Sequence, residues 1–151
     1  MNFRLIANTT SYVLWVEAGF LLLPLLVSVL YGEPWMPFFA TAVLCILIGF
    51  ILQLVPVKKA QMHSRDGFMA VALGWIALSL TGALPYVFSG ALNDYVDAIF
   101  ETVSGLTTTG STVFPEVEHL HRSVLLWRSL TQWMGGMGVL VLFLALMPKL
   151  G

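Results

Sequence analysis

Residues 93–113 read NDYVDAIFETVSGLTTTGSTV, and the rest of the chain arranges itself around them. The stretch opens on the acids Asp94 and Asp97, continues with apolar residues at helical spacing, and ends in Thr107, Thr108, Thr109, Gly110, Ser111 and Thr112. A helix over 94–106 would be roughly 20 Å long at about 1.5 Å per residue, against a bilayer hydrocarbon core of about 30 Å. Flanked by long apolar runs and too short to cross a membrane itself, this segment is expected to dip in and return. Asn93 or Asp94 would cap its start by accepting backbone N–H bonds, and Asp94 and Asp97 oppose the positive end of its dipole. Tyr95, Val96, Ile99, Phe100, Val103 and Leu106 give it apolar surface, so it sits among other helices rather than in water.

Working outward, composition sets the class. The chain of 151 residues is 58% hydrophobic and 10% charged, and its mean hydropathy is +0.88. That leaves too little polar surface for a water-soluble globule, so the chain reads as an integral membrane protein. A net charge of −1 provides no basic footprint for nucleic acid. Cys45, the single cysteine, lies in an apolar run and reads as packing, which excludes an intrachain disulfide and a cysteine metal site.

A first span is expected at 12–31, kinked by Pro24, with Glu17 near enough to its start to snorkel to the headgroups. The turn YGEPWMP at 31–37 carries interfacial aromatics and two prolines, and a second span follows at 38–55, ended by Pro56. Lys58, Lys59, His63, Arg65 and Asp66 form the most basic loop, which the positive-inside rule makes cytoplasmic, along with the N-terminus. His63 reads as a solvated loop residue, since no partner stands at metal-ligand spacing. A third span is expected at 67–89, with Gly67, Gly74 and Gly82 on one face for close helix approach, and a fourth at about 120–147, weakened by Gly135, Gly136 and Gly138. The inside then carries Arg4, Lys58, Lys59, Arg65 and Lys149. The outside carries Glu33, Asp94, Asp97, Glu116 and Glu118, with Arg122 as the exception, and such an acidic vestibule concentrates cations.

The C-terminal end of the short helix bears partial negative charge and would point toward the membrane middle, which favours a cation. The threonines that follow are β-branched and expected to run extended, while Gly110 permits dihedrals that a Cβ resists. Extended backbone at membrane depth is tolerable where its carbonyls line a watery cavity or coordinate an ion, and rings of such carbonyls replace the hydration shell of potassium in known filters.

SGLTTTG at 104–110, LLWR at 125–128 and QWMGGMG at 132–138, in this order and between apolar spans, resemble the first pore-forming repeat of the Trk/Ktr/HKT superfamily of potassium transporters, in particular its TrkH type. The helices at 12–31 and 38–55 resemble the extra pair that precedes that repeat, so the likeness covers the whole chain and is densest over 97–138. It implies an all-α integral membrane fold of four transmembrane helices plus one re-entrant pore helix and an extended filter loop. Two units follow: a helix pair at 1–57 and one span, pore helix, filter loop, span repeat at 67–149. It implies potassium uptake as the function, potassium as the substrate with no cofactor, and filter carbonyls from Thr107, Thr108, Thr109, Gly110 and Ser111. Family members carry four non-identical repeats, so the chain reads as the N-terminal portion of such a protein, completed by the remaining repeats, with further copies of itself as the alternative. A cytoplasmic nucleotide-binding regulatory subunit, surrounding lipid and a bacterial inner-membrane location are likewise implied.

Counted from the outer ends, Glu101 lies about 10 Å along the short helix and Arg128 about 12 Å along the fourth span. Matching depths and the cost of a lone charge there predict an ion pair bracing the two elements, the competing reading being that each reaches vestibule water. Catalysis is not expected. Ser104 lacks the Gly-x-Ser-x-Gly elbow, since Thr102 stands two before it, and His119 and His121 read as interfacial residues near Glu116 and Glu118. A phosphate-cradling loop would precede a helix N-terminus, whereas this one follows a C-terminus. A non-conducting membrane scaffold is the remaining alternative.

Overall fold

The computed structural model describes residues 3–54 and 64–146. Pro56, the basic loop with Lys58, Lys59 and His63, and Lys149 lie outside the described residues, as do residues 1–2 and 55–57 of the first expected unit and 147–149 of the second. Within the described residues there are six helices and no strand: α1 (Phe3–Tyr31), α2 (Met36–Gln53), α3 (Ser64–Gly82), α4 (Leu84–Phe88), α5 (Tyr95–Leu106) and α6 (Arg122–Leu146). Among the described residues, three segments are long and apolar enough to cross a membrane, Ile6–Tyr31, Met36–Gln53 and Asp66–Phe88. They present large exposed apolar side chains, among them Leu22, Leu26, Leu47, Ile51 and Ile76, a surface suited to lipid.

α1 packs chiefly against α2 and then against α3 and α6, while α5 rests on α6 and α3. Since lipid tails are as apolar as leucine, burial alone does little to hold such helices together, and close backbone approach and interhelical hydrogen bonds carry the association. The core shows both. Leu14, Ala18 and Leu21 of α1 meet Phe38, Ala42 and Cys45 of α2, and Tyr86, Ala98, Phe114 and Trp127 continue the same cluster.

Several boundaries depart from the sequence reading, each for a local reason. α1 begins at Phe3 rather than at 12, because its polar run turns inward on its own backbone. Thr10 Oγ1 donates to the Ile6 carbonyl at 3.0 Å and Ser11 Oγ to that of Asn8 at 2.7 Å, so neither hydroxyl needs water. The third span is divided into α3 and α4 at Ala83. Pro85 has no N–H to continue the ladder, and Tyr86 N turns to the Ala83 carbonyl at 3.2 Å. The Gly82 carbonyl is thereby released and accepts from Trp127 Nε1 at 2.9 Å, so a helix break in one element is closed by an indole from another.

The glycine face expected on α3 reduces to one close approach. Gly67 has nothing within 4 Å, and a Cβ on Gly74 would make ordinary contact with Val13 at 3.6 Å. A Cβ on Gly82 would meet Thr102 Cγ2 at 2.9 Å and Glu17 Oε1 at 3.2 Å. Glu17 does not snorkel: it is 1% exposed and bonded to Thr81. It stands fourteen residues from either end of α1, about 21 Å in each direction, whereas the expected shorter helix put it near an interface.

The start of α6 is fixed from a distant part of the chain. Glu33, in the α1–α2 turn, accepts from Arg122 N at 2.8 Å, Ser123 N at 2.9 Å and Ser123 Oγ at 2.6 Å, while the Arg122 guanidinium lies 4.4 Å over the Tyr31 ring. It caps a helix 89 residues away. Desolvation pushes its pKa up, but the bonds from Ser123 and Arg122 and the nearby His121 outweigh that and hold the carboxyl below the ordinary carboxylate range. Replacing Glu33 by Gln is expected to cost about 1 kcal/mol, the usual value of a lost cap. Because the folded-state value is depressed, this contribution is present above the unfolded carboxylate pKa of about 4.3 and is lost as pH falls through the folded value. Thermal unfolding of both proteins over a falling pH series should show the difference shrink in acid.

Candidate functional site

The start of α5 is specified by Asp94, whose backbone is extended at φ −98, ψ 128 and whose Oδ1 accepts from Val96 N at 2.8 Å. Asp97 lies in the first turn. The other end of α5 is seated on α6 by two small-residue contacts. Gly105 makes room for the Thr131 side chain, and Gly135 makes room for the Leu106 carbonyl. This end of α5 is therefore clamped rather than frayed.

The chain leaves α5 in a tight left-handed cap. Thr108 N donates to the Gly105 carbonyl and Thr109 N to that of Ser104, both at 2.9 Å, the double bond of a Schellman motif. The residue that such a cap places in the left-handed region is normally glycine; here it is Thr108 at φ 55. A β-branched residue there costs of order 1–3 kcal/mol and persists only where the surroundings enforce it. The expected extended run accordingly fails at its first two residues: Thr107 has φ −82, ψ 1 and Thr108 is left-handed, because the last carbonyls of α5 need these N–H groups. Gly110, at φ 78, makes the second left-handed turn.

Two side chains tie the loop back to the helix it left. Ser104 Oγ donates to the Ser111 carbonyl at 2.6 Å. Glu101, 4% exposed, accepts from Thr112 Oγ1 at 3.0 and 3.1 Å and from Val113 N at 3.1 Å. The structure also brings Arg128 Nε to within 2.6 Å of Glu101 Oε1, with the guanidinium 5.5 Å from the centroid of the Phe114 ring. Glu101 thus joins α5, α6 and the far end of the loop.

The loop residues 107–112 are all exposed, and their backbone groups divide sharply. The N–H groups of Thr107, Thr108, Thr109 and Gly110 are spent on α5 carbonyls. Among the described residues no hydrogen bond ends on the carbonyls of Thr107, Thr108, Thr109 or Gly110, whereas the Ser111 carbonyl is taken by Ser104. The carbonyls of Thr107 to Gly110 are thus left as open acceptors while the N–H groups of the same four residues are engaged, an arrangement that suits a cation better than an anion. Among the described residues no histidine is hydrogen-bonded to Ser104, which is engaged with Ser111, and His119 pairs instead with Glu116 at 3.1 Å. Sequence reasoning missed the Ser104 clasp and the Thr112 and Val113 bonds to Glu101; the serine and acid are visible in sequence, but their partners depend on the left-handed cap.

The sequence model of the TrkH family, described as a cation transport protein, matches residues 35–151. The chain belongs to the TrkH family. This TrkH-family chain is 38% identical over 154 residues to the "Trk system potassium uptake protein TrkH" of Salmonella typhimurium and likewise to that of Escherichia coli K12, covering 100% of the chain and 32% of each relative. An uncharacterized cation transporter of Methanocaldococcus jannaschii is 38% identical over 133 residues, covering 87% of the chain and 28% of that relative. The crystal structure of the potassium transporter TrkH from Vibrio parahaemolyticus superposes with a TM-score of 0.91 at 35% identity, over 98% of this chain and 32% of that one. The chain spans about a third of the length of the curated relatives it matches.

Proposed function

We propose that this chain serves potassium uptake across a bacterial cytoplasmic membrane by contributing one repeat of a four-repeat, cation-selective pore. In this reading α3–α4 and α6 are the two spans of the repeat, α5 is the re-entrant pore helix, and the loop after it is one quarter of a selectivity filter. α1 and α2 are the pair that precedes the repeat, with the N-terminus cytoplasmic. The observation that carries the reading is the set of four unpartnered carbonyls, Thr107 to Gly110, held at the clamped negative end of a short helix. These four are assigned to the ion. The Ser111 carbonyl, turned back to Ser104, is assigned to the frame of the loop. The potassium uptake of the relatives' names and the cation transport of the family's description support the substrate. Glu101 and Arg128 brace the filter without touching the ion. Further repeats complete the ring, since one loop supplies carbonyls on one side of an ion, and the resemblance adds a cytoplasmic nucleotide-binding regulatory subunit.

The test is rubidium or potassium flux in cells lacking their own uptake systems, with the remaining repeats supplied. Gly110→Val should reduce flux by more than about tenfold, since a β-branched residue resists φ 78 and fills the ion path. Unchanged flux in a variant that still reaches the membrane would sink the filter assignment. Absent flux in the parent protein, with all repeats assembled, would favour the scaffold alternative.

A further inference from the structure

We propose that Glu17 holds a proton in the folded protein, making the junction of α1, α2 and α3 a proton-binding site independent of the ion-coordinating loop. Thr81 Oγ1 lies 2.6 Å from Glu17 Oε2 and 2.7 Å from the Ala77 carbonyl. Both are hydrogen-bonded separations; two oxygens do not approach so closely without a hydrogen between them. Two hydrogens are therefore needed among three oxygens, and a threonine hydroxyl carries one. A backbone carbonyl has none to give, so the second belongs to the carboxyl. Thr81 donates to Ala77, and Glu17 Oε2 donates to Thr81.

The surroundings give a second, independent argument. From α2 the carboxyl faces the Cys45 thiol, whose Sγ is 3.7 Å from Oε2, and this is the titratable group that meets it. From α3 it faces Thr81 and the backbone of Gly82, and around Gly82 the Thr102 methyl of α5 and the Trp127 indole of α6 close the space. No cation among the described residues enters its surroundings, and Oε1 is buried with no hydrogen-bond partner. An ionised carboxylate so placed would carry an unpaired charge and an unsatisfied anionic oxygen in the middle of a spanning helix, at a cost that proteins avoid by neutralising the group. As a neutral acid, the same side chain donates one hydrogen bond and leaves a single uncharged carbonyl oxygen without a partner. Opening the junction would admit water and let the carboxyl ionise, so proton binding and closure of the α1–α2 pair onto α3 are linked.

Infrared difference spectroscopy of the full chain in lipid at neutral pH, wild type minus Glu17→Gln, tests this. A protonated-carboxyl C=O band, sensitive to deuterium exchange and lost in the variant, is expected. Loss of carboxylate bands instead would overturn the proposal. Thr81→Val, close in shape but without an acceptor, should keep the acid band and move it to higher frequency, while an unmoved band would overturn the assignment of Thr81 as the proton's acceptor. Should Glu17→Gln fail to fold, the difference between wild type and Thr81→Val decides alone: a shifted acid band supports the proposal, and a perturbed carboxylate pair overturns it.

Discussion

A Gly135→Ala variant is expected to lose about 3 kcal/mol of stability or to fail to assemble, although alanine is the better helix former by about 1 kcal/mol. The added methyl group would overlap the Leu106 carbonyl, and what stands in its way is backbone at the end of α5 rather than a side chain that could turn aside. The two helices would have to part, breaking the seat that holds the loop. Neighbouring glycines supply controls with the opposite sign. A Cβ on Gly136 would lie 3.8 Å from Thr108 Cγ2, and one on Gly138 3.6 Å from Trp75, both ordinary contacts, so alanine at either should be neutral or slightly stabilising. Thermal unfolding of the purified proteins in one detergent distinguishes the three. Equal midpoints for the Gly135 and Gly136 variants would contradict the close approach of α5 to α6.

Removing one partner of the Glu101–Arg128 pair is expected to cost about 3–5 kcal/mol, the range for a buried pair broken on one side. With Arg128→Met, Glu101 keeps its bonds from Thr112 and Val113 but becomes a lone charge at 3% side-chain exposure. With Glu101→Gln, Arg128 loses its carboxylate and the loop end loses its anionic anchor. The double variant should recover part of the loss, with a coupling of about 2 kcal/mol. Singles that add to within about 0.5 kcal/mol would mean that the contact carries no direct energy. Amide exchange at Val113 offers a local readout: its N–H is bonded to Glu101 Oε2 and should exchange faster in Glu101→Gln than in Arg128→Met.

How much of this was legible in the sequence depended on whether the deciding partner was near in the chain. Asp94 as the cap of a short helix, and that helix's end at Leu106, could be read because cap, acids and apolar spacing all lie within thirteen residues. The start of α1 could not, because Asn8 to Ser11 look like a loop until their hydroxyls are seen bonded to the preceding turn. The division of the third span at Ala83 could not be read either, because the Gly82 carbonyl freed beside Pro85 is taken by the Trp127 indole, 45 residues away. Glu17 and Glu33 were misjudged or unassigned for the same physical reason: an acid's environment is set by helices 60 to 90 residues away, Thr81 in one case and the start of α6 in the other. In the loop, residue types pointed to carbonyl coordination, but β-propensity suggested extended backbone where the needs of a helix end imposed a left-handed cap on Thr108.

Ser104 takes the Thr109 and Gly110 N–H groups on its carbonyl and gives its hydroxyl to Ser111, so both ends of the turn meet at one residue. Every one of these bonds spans seven positions or fewer. A ring so local closes on the timescale of short-loop formation, about 10–100 ns, long before slower events such as docking of other segments. Closing and staying closed therefore have different requirements: α5 and its own loop suffice to form the turn, whereas the left-handed Thr108 is held only once α6 brings Thr131, Gly135 and Arg128 against the end of α5.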